Sequence, residues 1–327
     1  MESGPLVVAA VLAAAVLHAG WNAIAKGVDD RIGLFARASV VDVTVMFAVV
    51  WWLPMPAAAS WPWLLASVVV QVAYIVGLMA AYRVGDFNQT YPLARGIGPL
   101  VVAVVAVTVI GEPLPLVPAL GVLLIAVAVG VLGLTPWRRI RGNRAAVLAA
   151  TGTGVMIATY TLLDGMGVRR SGTPIGYIAW LMGLHSLGTI AATAILRRTR
   201  FAAPASAQPP ASAQPPASAQ PPASAQPPAS AQPQASDQLP AGGGTRWSGP
   251  AMWGMAALTG MMSTAAYGLV LWAQSRGALA AVAALRESSV VVAAVLGVLV
   301  FREPMGRVRI AASVAVAAGV VLLAVPT

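Results

Sequence analysis

Apolar residues in this chain come in long unbroken runs rather than in alternation. Runs of about twenty residues with few charges lie near 5–26, 31–53, 61–82, 88–110 and 115–134. Others lie near 145–164, 174–196, 250–274, 279–301 and 307–325. At 1.5 Å per residue such a run crosses a hydrocarbon core of roughly 30 Å as a helix. The pattern predicts an all-α polytopic membrane protein with ten transmembrane helices. Outer-membrane strands would need segments of about ten residues with alternating polarity, which these runs are not.

Composition agrees with a bilayer as solvent. Of 327 residues, 58% are hydrophobic and 9% charged, with mean hydropathy +0.80, whereas soluble domains carry roughly 25% charge. The absence of cysteine excludes disulfides, thiolate catalysis and cysteine-ligated metal centres. A formal charge of +10 would suit a nucleic-acid binder, but the basic residues sit between the apolar runs and read as topology signals. Lys26, Arg31, Arg83, Arg138, Arg139, Arg141, Arg144, Arg197, Arg198, Arg200, Arg246, Arg302, Arg307 and Arg309 fall on one side of alternating spans, and Arg169, Arg170 and Arg276 on the other. The positive-inside rule puts the first set in the cytoplasm and both termini outside. Met1-Glu2-Ser3-Gly4-Pro5 lacks the basic start of a cleaved signal, so the first run is expected to stay as a helix.

Between the seventh and eighth runs, Ala-Ser-Ala-Gln-Pro-Pro repeats from Ala205 to Pro233, and residues 201–245 hold eleven of the 25 prolines. Without large apolar side chains this stretch cannot form a core and reads as a polyproline or disordered connector. A second repeat is longer. Arg95 precedes Glu112-Pro113 by 17 residues, as Arg286 precedes Glu303-Pro304; Ala73-Tyr74 before Gly85 parallels Ala266-Tyr267 before Gly277. An offset of 143 sets Asp42 on His185. The expected organisation is a five-helix half over 1–140 and a second over 141–200 and 246–327, with 201–245 as the linker. An odd number of crossings per half inverts the halves, an arrangement of secondary transporters with a site near the midplane.

Four segments carry a resemblance. They are Leu17-His18-Ala19-Gly20-Trp21-Asn22-Ala23-Ile24-Ala25-Lys26, Tyr91-Pro92-Leu93-Ala94-Arg95-Gly96 running to Gly111-Glu112-Pro113, Thr159-Tyr160-Thr161-Leu162-Leu163-Asp164-Gly165, and Ala284-Leu285-Arg286-Glu287 running to Arg302-Glu303-Pro304. Together they resemble the EamA-type branch of the drug/metabolite transporter superfamily. The resemblance covers both halves and omits the linker. It implies ten helices in two inverted five-helix repeats, moving a small metabolite across the plasma (inner) membrane. In the more distant small multidrug resistance relatives a membrane carboxylate stands eight residues before a helix-end lysine; here His18 stands eight before Lys26, an imidazole in place of the acid.

Polar groups inside lipid are costly, which makes each a site candidate. Arg95 and Arg286 with Glu287 suit an anionic or zwitterionic ligand, because two guanidiniums face one adjacent acid and the planar fork fits a carboxylate or phosphate. Snorkelling to the interface is the competing reading. Trp21, Asn22, Tyr91, Tyr160 and Tyr267 are the other candidate substrate contacts, and Gln71, Tyr74 and Trp180 could line the same pocket or simply pack. His18, Asp42 and His185 are the candidates for coupling to protons or another ion; Asp42 and His185 lie about 16 Å into their helices by helix rise, and the competing reading is a paired structural role. Ala126-x-x-x-Gly130 and Ala311-x-x-x-Ala315-x-x-x-Gly319 suit close helix contact. Two histidines without carboxylates at ligand spacing make no metal site.

No phosphate loop, nucleophile elbow or His-Glu-x-x-His motif occurs, so no cofactor and no catalytic residue is expected. The expected function is a secondary transporter exporting or exchanging a small, amino-acid-like anionic or zwitterionic metabolite by alternating access. Its partners are that metabolite and the lipid bilayer, with no nucleic acid, in a monomer or homodimer. The alternatives are a flippase of a lipid-linked carrier and, through Asp42 and Asp164, an intramembrane hydrolase.

Overall fold

The computed structural model describes residues 4–28, 30–81, 87–133, 144–201, 249–300 and 306–325. They form α1 (Gly4–Lys26), α2 (Arg31–Val49), α3 (Trp61–Ala81), α4 (Phe87–Val105), α5 (Leu116–Gly133) and α6 (Arg144–Arg170). There follow α7 (Pro174–Phe201), α8 (Pro250–Gln274), α9 (Leu279–Arg286), α10 (Ser289–Leu299) and α11 (Arg307–Ala324). No strand occurs among the described residues. Among the described residues seven stretches are long and apolar enough to cross a membrane, and the shorter Ala94–Ile110 and Leu116–Leu132 are apolar too. Leucines and valines such as Leu65, Val104, Leu120 and Val314 stand exposed on the outside, where lipid rather than water is the compatible neighbour. The protein is a multi-pass membrane protein.

The linker repeat Ala205 to Pro233, Arg302 and the second Glu-Pro pair, Glu303-Pro304, lie outside the described residues.

Three local departures from the expected runs matter. The fourth helix widens into a π-helical turn over Ala106–Ile110 and stops at Gly111, whose φ of 78° glycine adopts without strain. The sixth helix does not end at Asp164 but continues to Arg170, placing that carboxylate within the helix. The expected 279–301 helix is broken: Glu287 N–H and Ser288 N–H bond back three residues, to the carbonyls of Ala284 and Leu285, and α10 restarts at Ser289. A break at that depth frees polar backbone groups, which is tolerated where the chain is buried in protein or lines a cavity.

Packing alternates between the two halves of the chain. α1 lies on α8, α3 on α6, α2 on α7 and α8, and α5 on α11, while α4 contacts α5, α6 and α9. Small residues permit the close crossings. A Cβ on Gly96 would stand 2.8 Å from the backbone nitrogen of Gly130 and 2.9 Å from the carbonyl oxygen of Ala126. A Cβ on Gly319 would stand 2.9 Å from the carbonyl oxygen of Gly121. With no hydrophobic drive between helices in lipid, such backbone approach is the main source of packing energy.

The helix ends sort onto two faces. On one, the Ala57 N–H donates to the Ser171 carbonyl at 2.9 Å, and Arg169 donates to the carbonyls of Gln274 (2.8 Å) and Gly277 (2.6 Å) while pairing with Glu112. Glu112 also accepts from the Leu279 N–H at 2.9 Å, so the first Glu-Pro turn ties the ends of α6 and α8 to the start of α9. On the other face Ala25, Val28, Leu34 and Ala38 pack with Met252 and Ala256. The start of α8 therefore lies on the face that carries Lys26 and Arg31.

Candidate functional site

The broken helix delivers Arg286, Glu287 and Ser289 to the centre of the bundle, opposite Arg95 of α4. Arg95 is buried at 8% exposure and Glu287 at 4%. Arg95 Nε donates to Glu287 Oε2 at 2.7 Å, and its Nη2 donates to Ser289 Oγ at 3.0 Å. Its Nη1 lies 3.1 Å from His18 Nε2. A guanidinium has only donors, so the imidazole nitrogen accepts and the ring carries its proton on Nδ1. Four polar side chains from α1, α4 and the α9–α10 break thus satisfy one another, and the guanidinium of Arg95 is committed to Glu287.

Arg286 is placed differently. Its Cζ lies 5.2 Å from the centroid of the Tyr267 ring, a cation–π contact. Among the described residues no carboxylate lies within ion-pair distance of it. With Glu287 and Thr161 it lines a small, partly open cleft with room for about one water, beside Gly98 and Pro99 of α4, Ile157 of α6 and Val270 of α8. The pocket therefore draws on both halves of the chain.

Beyond the Tyr267 ring stands Asp164, fully buried. Tyr267 Oη donates to Asp164 Oδ2, and Gln71 Nε2 donates to the same oxygen at 3.2 Å and to Ser67 Oγ at 2.9 Å. Asp164 Oδ1 has no hydrogen-bond partner among the described residues. Tyr177 approaches from α7 because Gly167 leaves room for it: a Cβ there would overlap the phenol.

The candidate residues read from the sequence divide accordingly. Arg95, Arg286, Glu287, His18, Tyr160 and Tyr267 come together, with the Tyr160 and Tyr267 rings 6.3 Å apart and Tyr74 6.0 Å from Tyr160. Asn22 is spent on its own helix, donating to the His18 carbonyl at 2.7 Å. Trp21 sits edge-on to His18 at 5.1 Å, its buried indole N–H without a hydrogen-bond partner among the described residues. The Tyr91 side chain lies outside the described ones. Asp42 faces α8, where Gly260 leaves space for it beside Thr264. Among the described residues the Nδ1 of His185 on α7 has no hydrogen-bond partner, and no hydrogen bond joins this side chain to Asp42. Trp180 belongs to an aromatic group with Trp61 and Phe47.

Sequence reasoning missed Ser289 and the role of Asp164. The signal for Asp164 was present: Gly165-Met166-Gly167-Val168 carries the apolar run on to Arg169-Arg170, so the acid lies a turn and a half inside the helix rather than at its end.

Residues 239–325 match the EamA-like transporter family. The family lies in the drug/metabolite transporter superfamily and consists of membrane transporters, not enzymes. The EamA-like segment contains α8 to α11, and so both Tyr267 and the Arg286–Ser289 break. No curated protein sequence matches the chain. A solved crystal structure matches it with a TM-score of 0.63 at 15% identity, over 98% of this chain and 96% of the other. At that identity the likeness is one of fold.

Proposed function

We propose that this EamA-like protein is a secondary transporter of ten spans in two inverted five-helix repeats. It exports or exchanges a small anionic or zwitterionic metabolite across the plasma membrane by alternating access, and seats the ligand's carboxylate or phosphate on Arg286. The observation that carries the reading is the contrast between the two arginines: Arg95 is paired with Glu287, whereas Arg286 lies at a cleft between the halves against the Tyr267 ring, with no carboxylate within ion-pair distance among the described residues. A guanidinium in a membrane interior is costly unless paired, and its fork fits a bidentate anion. The two-repeat organisation is supported by matched packing, with α1 on α8 answered by α3 on α6, and by the helix break at Arg286, the kind of discontinuity at which transporters bind substrate.

The test is a metabolite-accumulation profile of knockout against overexpressing cells, followed by binding of the compound found to purified wild type, Arg286→Lys and Arg95→Lys. Lys keeps the charge but loses the fork, so Arg286→Lys should weaken binding of an anionic metabolite about tenfold or more, corresponding to one charge-assisted hydrogen bond. A lipophilic cation or lipid-linked sugar as the compound, or unchanged binding by Arg286→Lys, would refute it.

A further inference from the structure

Among the described residues, four charged groups are linked through direct contacts around Arg95 and Arg286, while Asp42 stands apart on α2 beside Gly260. Arg95 and Arg286 are permanent cations; Glu287 answers Arg95 directly. The remaining acid is Asp164, joined to Arg286 through Tyr267, whose ring carries the guanidinium and whose hydroxyl donates to the carboxylate. The groups facing Asp164 are Ser67 and Gln71 from α3, Tyr177 from α7, Tyr267 from α8 and Arg286 from α9, with Tyr160 one turn away on α6 and Arg95 of α4 held by Glu287 and His18. With the pocket empty the two cations and two carboxylates sum to zero. An anion on Arg286 would leave the occluded centre with an excess negative charge, which a low-dielectric interior strongly disfavours.

We infer that Asp164 is the proton-binding site of the transport cycle, taking up a proton when an anion occupies Arg286, so that anion and proton cross together. This rests on the ligand reading of Arg286 given above. Three observations select Asp164 over the other acids and histidines. It is fully buried, one of its oxygens is unpartnered, and it touches the ligand cation through a single shared side chain. Among the described residues neither Asp42 nor His185 shares a contact with Tyr267 or Arg286 as Asp164 does, and His18 already accepts from Arg95. Asp164 itself does not line the pocket but lies behind the Tyr267 ring. The group it is built to take from water is therefore a proton rather than part of the substrate. The step is a simple proton transfer: the carboxylate gains a proton from one aqueous phase as the anion enters and returns it to the other as the anion leaves. Linkage makes the coupling reciprocal, so protonation of Asp164 strengthens anion binding as much as anion binding favours protonation.

The experiment measures proton uptake on ligand binding by the purified full-length protein, in weakly buffered solution with a pH-sensitive dye. Acetate and lactate, monoanions that do not titrate near neutral pH, are the probes, and intrinsic tryptophan fluorescence follows their binding. Wild type should take up about one proton per anion bound, as stoichiometric linkage requires. Asp164→Asn should bind the anion without proton uptake and with an affinity that no longer changes with pH. Asp164→Glu, which keeps an acid, should retain uptake. Anion binding without uptake by wild type overturns the coupling and needs no variant to be seen. Uptake that persists in Asp164→Asn, or that is lost in Asp42→Asn instead, overturns the assignment to Asp164 while the ligand reading stands. If neither anion binds wild type, or both bind Arg286→Gln equally well, the ligand reading falls and the coupling falls with it.

Discussion

Removing the Glu287 carboxylate should destabilise the bundle more than almost any other single change, because it strands the Arg95 guanidinium. The pair joins residues 192 positions apart, with a 2.7 Å contact and side-chain exposures of 9% and 6%. Truncating one partner of a buried pair costs about 3–5 kcal/mol, since the other charge is left without compensation. Ser289 and His18 would still accept from Arg95, which places Glu287→Ala near the lower end, at about 3 kcal/mol. Glu287→Gln retains an oxygen that accepts a guanidinium N–H and should cost less. The double variant Arg95→Met/Glu287→Ala removes both charges at once and should recover most of the loss, giving a coupling of about 2 kcal/mol in a double-mutant cycle with Arg95→Met and Glu287→Ala as its single variants. Unfolding by SDS titration of the purified protein, followed by tryptophan fluorescence, would measure all four species. A Glu287→Ala variant within about 1 kcal/mol of wild type, or strict additivity of the two single changes, would refute the assignment of a buried, mutually neutralising pair.

Other expectations follow from the packing and the loops. Gly96→Ala should destabilise by about 1–3 kcal/mol in the same titration, because its Cβ meets the Gly130 backbone, whereas Gly130→Ala, whose Cβ meets nothing within 4 Å, should be close to neutral; equal effects would contradict the close crossing. Arg169→Ala removes the contacts to Glu112, Gln274 and Gly277, so a cysteine placed at Ser275 in this cysteine-free chain should react faster with an impermeant maleimide. Unchanged reactivity would mean that those contacts do not hold the α8–α9 turn. Deleting Ala205 to Pro233 should leave membrane insertion and transport intact, and loss of transport at normal expression would show that the linker is a working element.

The helices were legible because lipid imposes one simple requirement, a run of about twenty apolar residues, and the runs at α1, α3 and α8 fall within a few residues of their expected bounds. The small-residue spacings at Ala126 and Gly130 and at Gly319 were legible for a similar reason, since only such residues let backbones meet. The break after Arg286 was not, because Glu287-Ser288-Ser289 contains neither proline nor glycine and the turn is set by what those side chains reach across the bundle. The difference between the arginines was equally hidden. Matched positions in a repeat give matched placement, but partners come from other helices: Glu287 and His18 for Arg95, and Tyr267 for Arg286. Asp164 escaped because a carboxylate beside glycine reads as a helix end until the arginines that close the helix are counted.

The most direct test of the transporter reading is counterflow in proteoliposomes. Liposomes holding purified protein would be loaded with the metabolite identified from cells, and entry of the labelled compound would be followed in wild type and Arg286→Gln. Saturable, trans-stimulated entry of an anionic or zwitterionic compound by wild type, reduced at least tenfold in Arg286→Gln, is the expected result. Entry that is not trans-stimulated, or that is the same in both proteins, would contradict it.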